Sequence, residues 1–180
     1  KVEPPLVPID YNPIGTYRKK IIISKDMNGK DIFIHFGAVK SNLTLWVNGK
    51  FVGYSEDSKL PAEFNITSFV RKGENTIAFQ VARWCDGTYL EGQDMWRVSG
   101  VTRDCYIYDR NPLRIEDIKV RTNLDNEYKN ATLIIDLKFS NAITVENYTL
   151  EIEVLDNNNS VFKTQAKLSS ITDSIAIPFS

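Results

Sequence analysis

The feature of this sequence that most restricts its fold is a series of short runs in which apolar and polar residues alternate. Alternation with a period of two places the apolar side chains on one face of a β-strand. Turn residues separate the runs, and no stretch repeats its apolar residues at the 3.6-residue period of a helix. We therefore predict that the chain is all-β.

The dipeptide Asn48-Gly49 is the clearest turn signal. A type I′ turn needs positive φ at both central residues, which asparagine and glycine tolerate, so a hairpin is predicted here. The segment from Glu56 to Val70 contains Pro61 and is predicted to be a loop leading into a helical turn or an edge strand.

Residues 1–15 carry four prolines and are predicted to be an extended lead-in segment strapped across the body of the domain. Strands are predicted in the first part of the chain at Thr16 to Ile23, Asp31 to Phe36, Leu43 to Val47, Lys50 to Tyr54, Thr76 to Trp84 and Val101 to Asp109. Five further runs of alternation predict strands in the second part, at residues 115–122, 131–139, 148–155, 160–168 and 174–179.

A domain boundary is expected near Asn111-Pro112, because proline after a polar residue is a common linker signal. Short strands at regular spacing predict two β-sandwiches in series, a jelly roll over residues 1–110 and an immunoglobulin-like sandwich over residues 111–180. The second block has only about 70 residues, whereas a complete immunoglobulin-like sandwich needs about 100. We therefore expect the second sandwich to be truncated.

One long segment, Trp84 to Asp104, fits neither the strand nor the helix pattern. Loops of this length inside compact domains are usually functional or disordered, and this density of aromatic residues argues against disorder. Tryptophan and tyrosine offer flat apolar faces, and nearby carboxylate and guanidinium groups offer directional hydrogen bonds. A sugar ring has the matching apolar face and rim of hydroxyls, so a carbohydrate ligand is favoured over a nucleotide or a lipid.

Two structural interpretations of this segment remain open beside the functional one. Its aromatic residues can pack as a plug over the core. Its arginines, Arg97 and Arg103, can pair with Asp94 and Asp104 and so lock the loop. A glycosidase needs two carboxylates that face each other across the scissile bond, and no pair of acids in the chain stands out in that role.

Composition excludes several other functions. The net charge is −1 with acids and bases interspersed, so we expect no nucleic-acid partner. The longest apolar runs are a few residues, so we expect no membrane partner. The single histidine, His35, rules out a metal cluster built from several histidines. Cys85 and Cys105 show no metal-ligand spacing and are predicted to be free thiols.

Two segments carry a resemblance to a known family: WVNGKFVGYSEDSKLPAEFNITSFVRKGEN and WCDGTYLEGQDMWRVSGVTRD. They are similar to the amino-terminal sugar-binding domain of bacterial β-galactosidases, members of glycoside hydrolase family 2. The resemblance runs from about Pro4 to Asp109, and its QDMWR run is the most specific part. Residues 113–180 resemble, more loosely, the immunoglobulin-like domain that follows in that family.

The resemblance implies a galactose-binding-like jelly roll in the non-catalytic, N-terminal region of a parent enzyme. That glycosidase would hydrolyse terminal non-reducing β-D-galactosides in carbohydrate metabolism, with catalytic glutamates on a barrel domain of the same parent chain. This segment would contribute substrate positioning and assembly. By resemblance the parent enzyme uses sodium and magnesium and is a homo-oligomer, in the bacterial cytoplasm or periplasm. The alternatives are a stand-alone carbohydrate-binding module or the corresponding domain of a β-glucuronidase or β-mannosidase.

The resemblance also implies particular site residues. The aspartate of the QDMW run, Asp94, is expected to contact galactose and to help hold a sodium ion. The flanking Met95 and Trp96 would exclude water from that site, and Trp96 is predicted to be a further substrate-binding residue. An asparagine before the LW-NG hairpin also lines the substrate pocket in the family, and ungapped alignment puts Lys40 at that place. Lysine cannot reproduce the acceptor role of an amide. Either Asn42 is the equivalent residue or the substrate subsite differs.

Overall fold

Strands make up the regular structure of the computed structural model, which describes residues 6–92, 94, 96–140, 148–167 and 172–179. The only helices in these ranges are two short 3-10 helices, Lys25–Met27 and Asp86–Tyr89. The all-β prediction is confirmed. None of the described helices has the length and apolar character needed to cross a membrane. The chain divides into two compact units, a first unit Lys1–Asn111 and a second unit Pro112–Ser180.

The first unit contains two main antiparallel sheets. Its strands are β1 (Ile14–Ile23), β2 (Asp31–Phe36), β3 (Val39–Lys40), β4 (Asn42–Val47), β5 (Lys50–Glu56), β6 (Ala62–Asn65), β7 (Gly73–Ala82), β8 (Gly100–Val101) and β9 (Cys105–Arg110). One sheet has the strand order β1-β7-β4-β5, and the other has the order β6-β2-β9. The short strands β3 and β8 form a separate pair.

Apolar side chains from both sheets meet in one core between them. The alternation that predicted β4 buries Leu43, Leu45 and Val47 on the same face. Phe36 from one sheet meets the edge of Phe79 from the other, with ring centroids 5.1 Å apart. The first unit is therefore the β-sandwich expected from the sequence.

The Asn48-Gly49 turn has φ values of 52° and 79°, so the predicted type I′ geometry is confirmed. The Asn48 side chain also ties the turn to the neighbouring strand β7. Its Nδ2 donates to Asn75 Oδ1 at 2.8 Å, and its Oδ1 accepts from the Thr76 N–H at 2.9 Å. The turn is thus held by long-range contacts as well as by its own backbone preference.

Two local predictions are refined by the structure. The segment from Glu56 to Val70 contains the edge strand β6, followed by a single turn in which the Val70 N–H donates to the Ile66 carbonyl at 3.2 Å. The single strand predicted over Val101 to Asp109 is wrong, because the chain there forms β8 and β9 in different sheets. Between them the Asp104 carbonyl accepts from the Gly37 N–H at 2.9 Å as the chain passes from one pairing to the next.

The second unit contains five described strands, close to the five runs of alternation in its sequence. They are β10 (Ile115–Leu124), β11 (Ala131–Phe139), β12 (Thr149–Asp156), β13 (Asn159–Lys167) and β14 (Thr172–Phe179). Three form a sheet in the order β10-β11-β14, and β12 pairs with β13. The buried side chains of Leu137 and Phe139 on β11 pack with Leu150 of β12, which brings the two sheets together.

Candidate functional site

The loop from Trp84 to Asp104 leaves the sandwich after β7 and returns to it through β8 and β9. It opens with the 3-10 helix Asp86–Tyr89, turns again at 91–92, and runs without regular structure over 96–99. Gln93 and Met95, which the QDMWR resemblance includes, lie outside the described residues. The loop is held by side-chain contacts to other segments of the first unit.

The lead-in segment holds the first residue of the loop. Asn12 forms two hydrogen bonds with the backbone of Trp84, donating from Nδ2 to the carbonyl at 3.0 Å and accepting at Oδ1 from the N–H at 2.9 Å. The Arg83 N–H donates to the Pro13 carbonyl at 2.9 Å. The proline-rich lead-in therefore straps across the body of the unit at residues 12–13, as its sequence suggested.

Two guanidinium groups lie over the Trp84 ring. The Arg83 and Arg97 Cζ atoms lie 5.4 Å and 5.8 Å from its ring centroid, a distance at which cation–π attraction contributes about 0.5–1 kcal/mol at an exposed site. The guanidinium of Arg97 also lies against Gly92, where a side chain of any size would collide with it. Arg97 thus packs within the loop rather than forming the ion pair with Asp94 that the sequence had left open.

The connection between β5 and β6 holds the other side of the loop. Glu91 accepts hydrogen bonds from the Ser58 N–H at 3.0 Å and from the Ser58 hydroxyl, and Ser58 is buried. Arg103 Nη1 donates to the Lys59 carbonyl at 3.1 Å. Hydrogen bonds to a charged group contribute about 1.5–3 kcal/mol, so Glu91 is a strong anchor. The loop is therefore fixed from two directions.

Asp94 and Trp96 project from the middle of this anchored loop into solvent. Trp96 is 86% exposed. Asp94 is exposed and has a φ of 52°, in the left-handed region that aspartate tolerates better than most residues. Among the described residues Asp94 forms no ion pair or hydrogen bond, with either arginine of the loop or any other group. The two residues singled out from the QDMWR run are thus both exposed on this loop.

The structure gives different contacts to Lys40 and Asn42, the two candidate pocket residues that precede the hairpin. Lys40 is buried, and its Nζ donates to the Trp96 carbonyl at 3.0 Å. Asn42 is also buried, but its Oδ1 accepts from the Ala82 N–H at 2.9 Å, and its amide interacts with Tyr54. Within the described ranges it is Lys40 that touches the Asp94–Trp96 segment. A substrate role for Asn42 stays a prediction, with its acceptor oxygen already engaged.

A second cluster near the start of the loop has the groups to hold a cation. One oxygen from each of the Glu56 and Asp86 carboxylates and the Cys85 sulfur lie within 4.8 Å of one another. The Tyr54 hydroxyl donates to Glu56, and burial followed by this hydrogen bond raises the pKa of Tyr54. Two carboxylates suit a hard cation such as magnesium, whereas a thiolate suits softer metals.

Sequence reasoning missed this cluster. The adjacent pair Cys85-Asp86 was its only local signal, and Glu56 joins it through the fold. Both cysteines are free, as predicted. Burial, followed by the Asp104 charge, raises the pKa of Cys105 to about 11, so its thiol stays protonated at neutral pH.

The comparison with known families places these residues in a named domain. Residues 1–112 match the family model described as "Glycosyl hydrolases family 2, sugar binding domain". The β-galactosidase of Priestia megaterium is 43% identical over 155 residues, which cover 86% of this chain and 15% of that protein. The β-galactosidase of Vibrio cholerae is 47% identical over 137 residues, which cover 76% of this chain and 13% of that protein. The chain therefore spans only a small fraction of the length of these relatives.

Solved structures share the fold at lower identity. A β-glucuronidase of Bacteroides uniformis superimposes with a TM-score of 0.71 at 22% identity, over 94% of this chain and 22% of that one. A glycosyl hydrolase family 2 member of Bacteroides cellulosilyticus superimposes with a TM-score of 0.62 at 24% identity, over 92% of this chain and 23% of that one. At these identities the likeness concerns the fold alone.

Proposed function

Because this chain belongs to glycosyl hydrolase family 2 through its sugar-binding domain, we propose that its Trp84 to Asp104 loop forms one wall of a galactoside-binding site. The activity proposed for the parent protein is hydrolysis of terminal non-reducing β-D-galactosides with retention, through a covalent intermediate. The catalytic glutamates would come from a barrel domain of the same parent chain, which is also the proposed partner of this wall. The segment itself would position substrate and support assembly of a homo-oligomer.

The observation that carries the proposal is the exposed pair Asp94 and Trp96 on a loop that is otherwise anchored. An ionised carboxylate accepts hydrogen bonds from sugar hydroxyls, and an indole face packs against the apolar face of a sugar ring. Anchoring by Glu91 and Asn12 reduces the conformational entropy that the loop loses when a ligand binds. The pair therefore supplies both kinds of contact that a sugar requires.

The curated relatives favour galactosides over other sugars. Proteins named β-galactosidase are 39–47% identical to this chain, whereas the β-glucuronidases found among the structures are 17–22% identical. An exposed aspartate is also a poor partner for the carboxylate of a glucuronide, because like charges repel. Galactose is accordingly the proposed sugar.

Sodium and magnesium are proposed from the resemblance, and this chain offers a different set of ligands to each ion. Asp94 offers one hard oxygen to a sodium ion, so further oxygen ligands would have to come from the sugar or from elsewhere in the parent protein. Glu56 and Asp86 offer two carboxylates to a magnesium ion. The cysteine beside them departs from the all-oxygen set that magnesium prefers.

Titration of the chain with methyl β-D-galactoside, followed by saturation-transfer NMR, tests the proposed site. We expect weak binding, since this chain holds one wall of the pocket, and loss of the signal in Asp94→Asn and Trp96→Ala. Trp46→Phe is the matched control, because Trp46 packs against Phe51 in the hairpin. The chain alone is expected not to cleave a chromogenic β-galactoside.

Several results would contradict the proposal. Binding that survives both substitutions would place the sugar elsewhere, and a preference for a glucuronide would favour the β-glucuronidase alternative. Cleavage by the chain alone would show that it contains catalytic groups. A stand-alone binding module predicts tight binding by this chain, whereas a half-pocket predicts millimolar affinity that rises in the full-length parent protein.

A further inference from the structure

Lys40 is a buried cation, and its contact with the Trp84 to Asp104 loop accounts for its burial. It is 7% exposed, and among the described residues its ammonium contacts the Trp96 carbonyl and no carboxylate. Lysine is almost never buried without a partner, because removing an ammonium from water is costly. Within the described part of the chain, the bond to Trp96 is therefore the contact that offsets this cost.

Lys40 holds the Trp96 segment at both of its ends. Its side chain bonds to the Trp96 carbonyl at 3.0 Å, and its backbone pairs with Gly100 where β3 meets β8. The residues between these two points, 96–99, have no regular structure of their own. One residue of β3 thus braces a short irregular segment whose first side chain is the exposed indole.

We propose that Lys40 is a positioning residue of the sugar site, which fixes the direction of the Trp96 indole by holding the Trp96 carbonyl. The part of this inference that concerns sugar rests on the proposed function, whereas the bracing of Trp96 does not. A braced indole is already ordered before the ligand arrives, so less conformational entropy is lost on binding. Removal of the ammonium would leave a carbonyl without its donor and free the segment to move.

This role also accounts for the departure of Lys40 from the asparagine of the resembling family. The long lysine side chain reaches the carbonyl of the loop, whereas an asparagine at the same position has a much shorter reach. Lys40 accordingly acts on the sugar through Trp96 rather than by direct contact.

The test uses the chain labelled with 5-fluorotryptophan, whose three tryptophans give separate ¹⁹F resonances. Trp96→Phe assigns the Trp96 resonance. Lys40→Met, which removes the ammonium and keeps an apolar stem, is expected to shift or broaden that resonance and leave the other two in place. Lys50→Met, an exposed lysine in the hairpin, is the matched control and should change none of them.

The same samples are then titrated with methyl β-D-galactoside. We expect Lys40→Met to weaken binding about tenfold, the equivalent of one charged hydrogen bond at its lower limit. Lys40→Arg keeps a charged donor and should restore most of the affinity. Lys40→Gln replaces Lys40→Met if the latter does not fold, since its shorter side chain withdraws the donor from Trp96.

Each outcome decides the question. An unchanged Trp96 resonance in a folded Lys40→Met chain overturns the bracing role. A shifted resonance with unchanged sugar affinity overturns the positioning role while bracing stands. If the unsubstituted chain binds no galactoside but the resonance still shifts, the proposed sugar site and the positioning role fail, and bracing alone is supported.

Discussion

The two units of this chain are built from the same kind of strand but are stabilised differently. The first unit gathers twelve buried apolar residues into one cluster, whereas the described part of the second unit gathers two. On β10 the alternating residues Ile118, Val120 and Leu124 are 55%, 59% and 56% exposed, although they occupy the apolar positions of the strand. A sheet face needs a partner layer to become a core, and over β10 this layer is absent among the described residues.

Polar contacts show the same contrast. In the second unit Asp136 bonds to Ser174 at 2.6 Å and to Arg121 at 2.7 Å, and these contacts lower the pKa of this partly exposed carboxylate. In the first unit the pKa values of Tyr54, Cys105 and Tyr108 are raised, and burial is the first cause for each of them; the pKa of Tyr108 rises to about 12. The loop site thus belongs to the unit whose core is dense enough to hold an irregular segment in place.

The largest expected effect compares a core residue of each unit. Leu45→Ala removes a fully buried side chain of the first unit and should lower its free energy of unfolding by about 2–5 kcal/mol. Ile118→Ala removes a half-exposed side chain of the second unit and should change it by about 0.5 kcal/mol or less. Urea unfolding followed by tryptophan fluorescence reports the first unit, because all three tryptophans, Trp46, Trp84 and Trp96, lie in it.

Amide hydrogen exchange in β11 reports the second unit. A large loss of protection in Ile118→Ala, dependent on protein concentration, would show that another copy of the chain covers β10. That result would break the contrast between the units, since the exposed face would then be a core shared by two molecules.

An intermediate effect compares the carboxylates that hold a turn in each unit. Glu91→Gln should destabilise the first unit by about 1–3 kcal/mol, because a buried serine loses a charged acceptor. Asp125→Asn should have a smaller effect on the second unit. Asp125 accepts from the backbone N–H groups of Glu127, Lys129 and Asn130 in bonds that are exposed to solvent, so water can replace them when they are lost. The stability of the first unit is measured by urea unfolding and that of the second by amide hydrogen exchange. Equal losses of stability in the two variants would contradict the distinction between the partly buried hydrogen bonds of Glu91 and the exposed ones of Asp125.

Much of the fold could be predicted because alternation is a local property. The runs Asp31 to Phe36 and Ala131 to Phe139 became strands with those bounds, and Asn48-Gly49 formed the expected turn. The prediction of a single strand over Val101 to Asp109 was wrong, because the two halves of this run pair with strands of different sheets and the chain breaks between them. Arg103 and Asp104 lie where the chain crosses from one pairing to the other, and sequence alone does not record that crossing.

The same distinction between local and long-range features applies to the candidate site. The loop and its exposed residues Asp94 and Trp96 could be found from composition and resemblance, since both are contained in one segment. The contact of Lys40 with Trp96 and the approach of Glu56 to Cys85 could not, because each joins residues far apart in the chain. The choice between ion pairing and packing for Arg97 was likewise decided by the position of the Trp84 ring.

The smallest expected effect concerns acid stability. Hydrogen bonds from Ser174 and then Arg121 lower the pKa of Asp136 below its ordinary value of 3.8 in the folded state. The ionised form is therefore stabilised by folding, and this contribution is complete above the unfolded pKa and is lost as the pH falls through the folded pKa. The second unit should lose stability on acidification below about pH 4, and Asp136→Asn should reduce that pH dependence.

The measurement is urea unfolding followed through NMR peak intensities in β11 and β14 at several pH values. Asp117→Asn is the matched control, because Asp117 is an exposed carboxylate on the same sheet with no ion pair among the described residues. Added salt should weaken the Arg121 contact and reduce the contribution of Asp136, since exposed pairs are screened. If Asp136→Asn and Asp117→Asn show the same acid dependence, the second unit does not depend on this surface network, and the contrast in polar contacts between the units is lost.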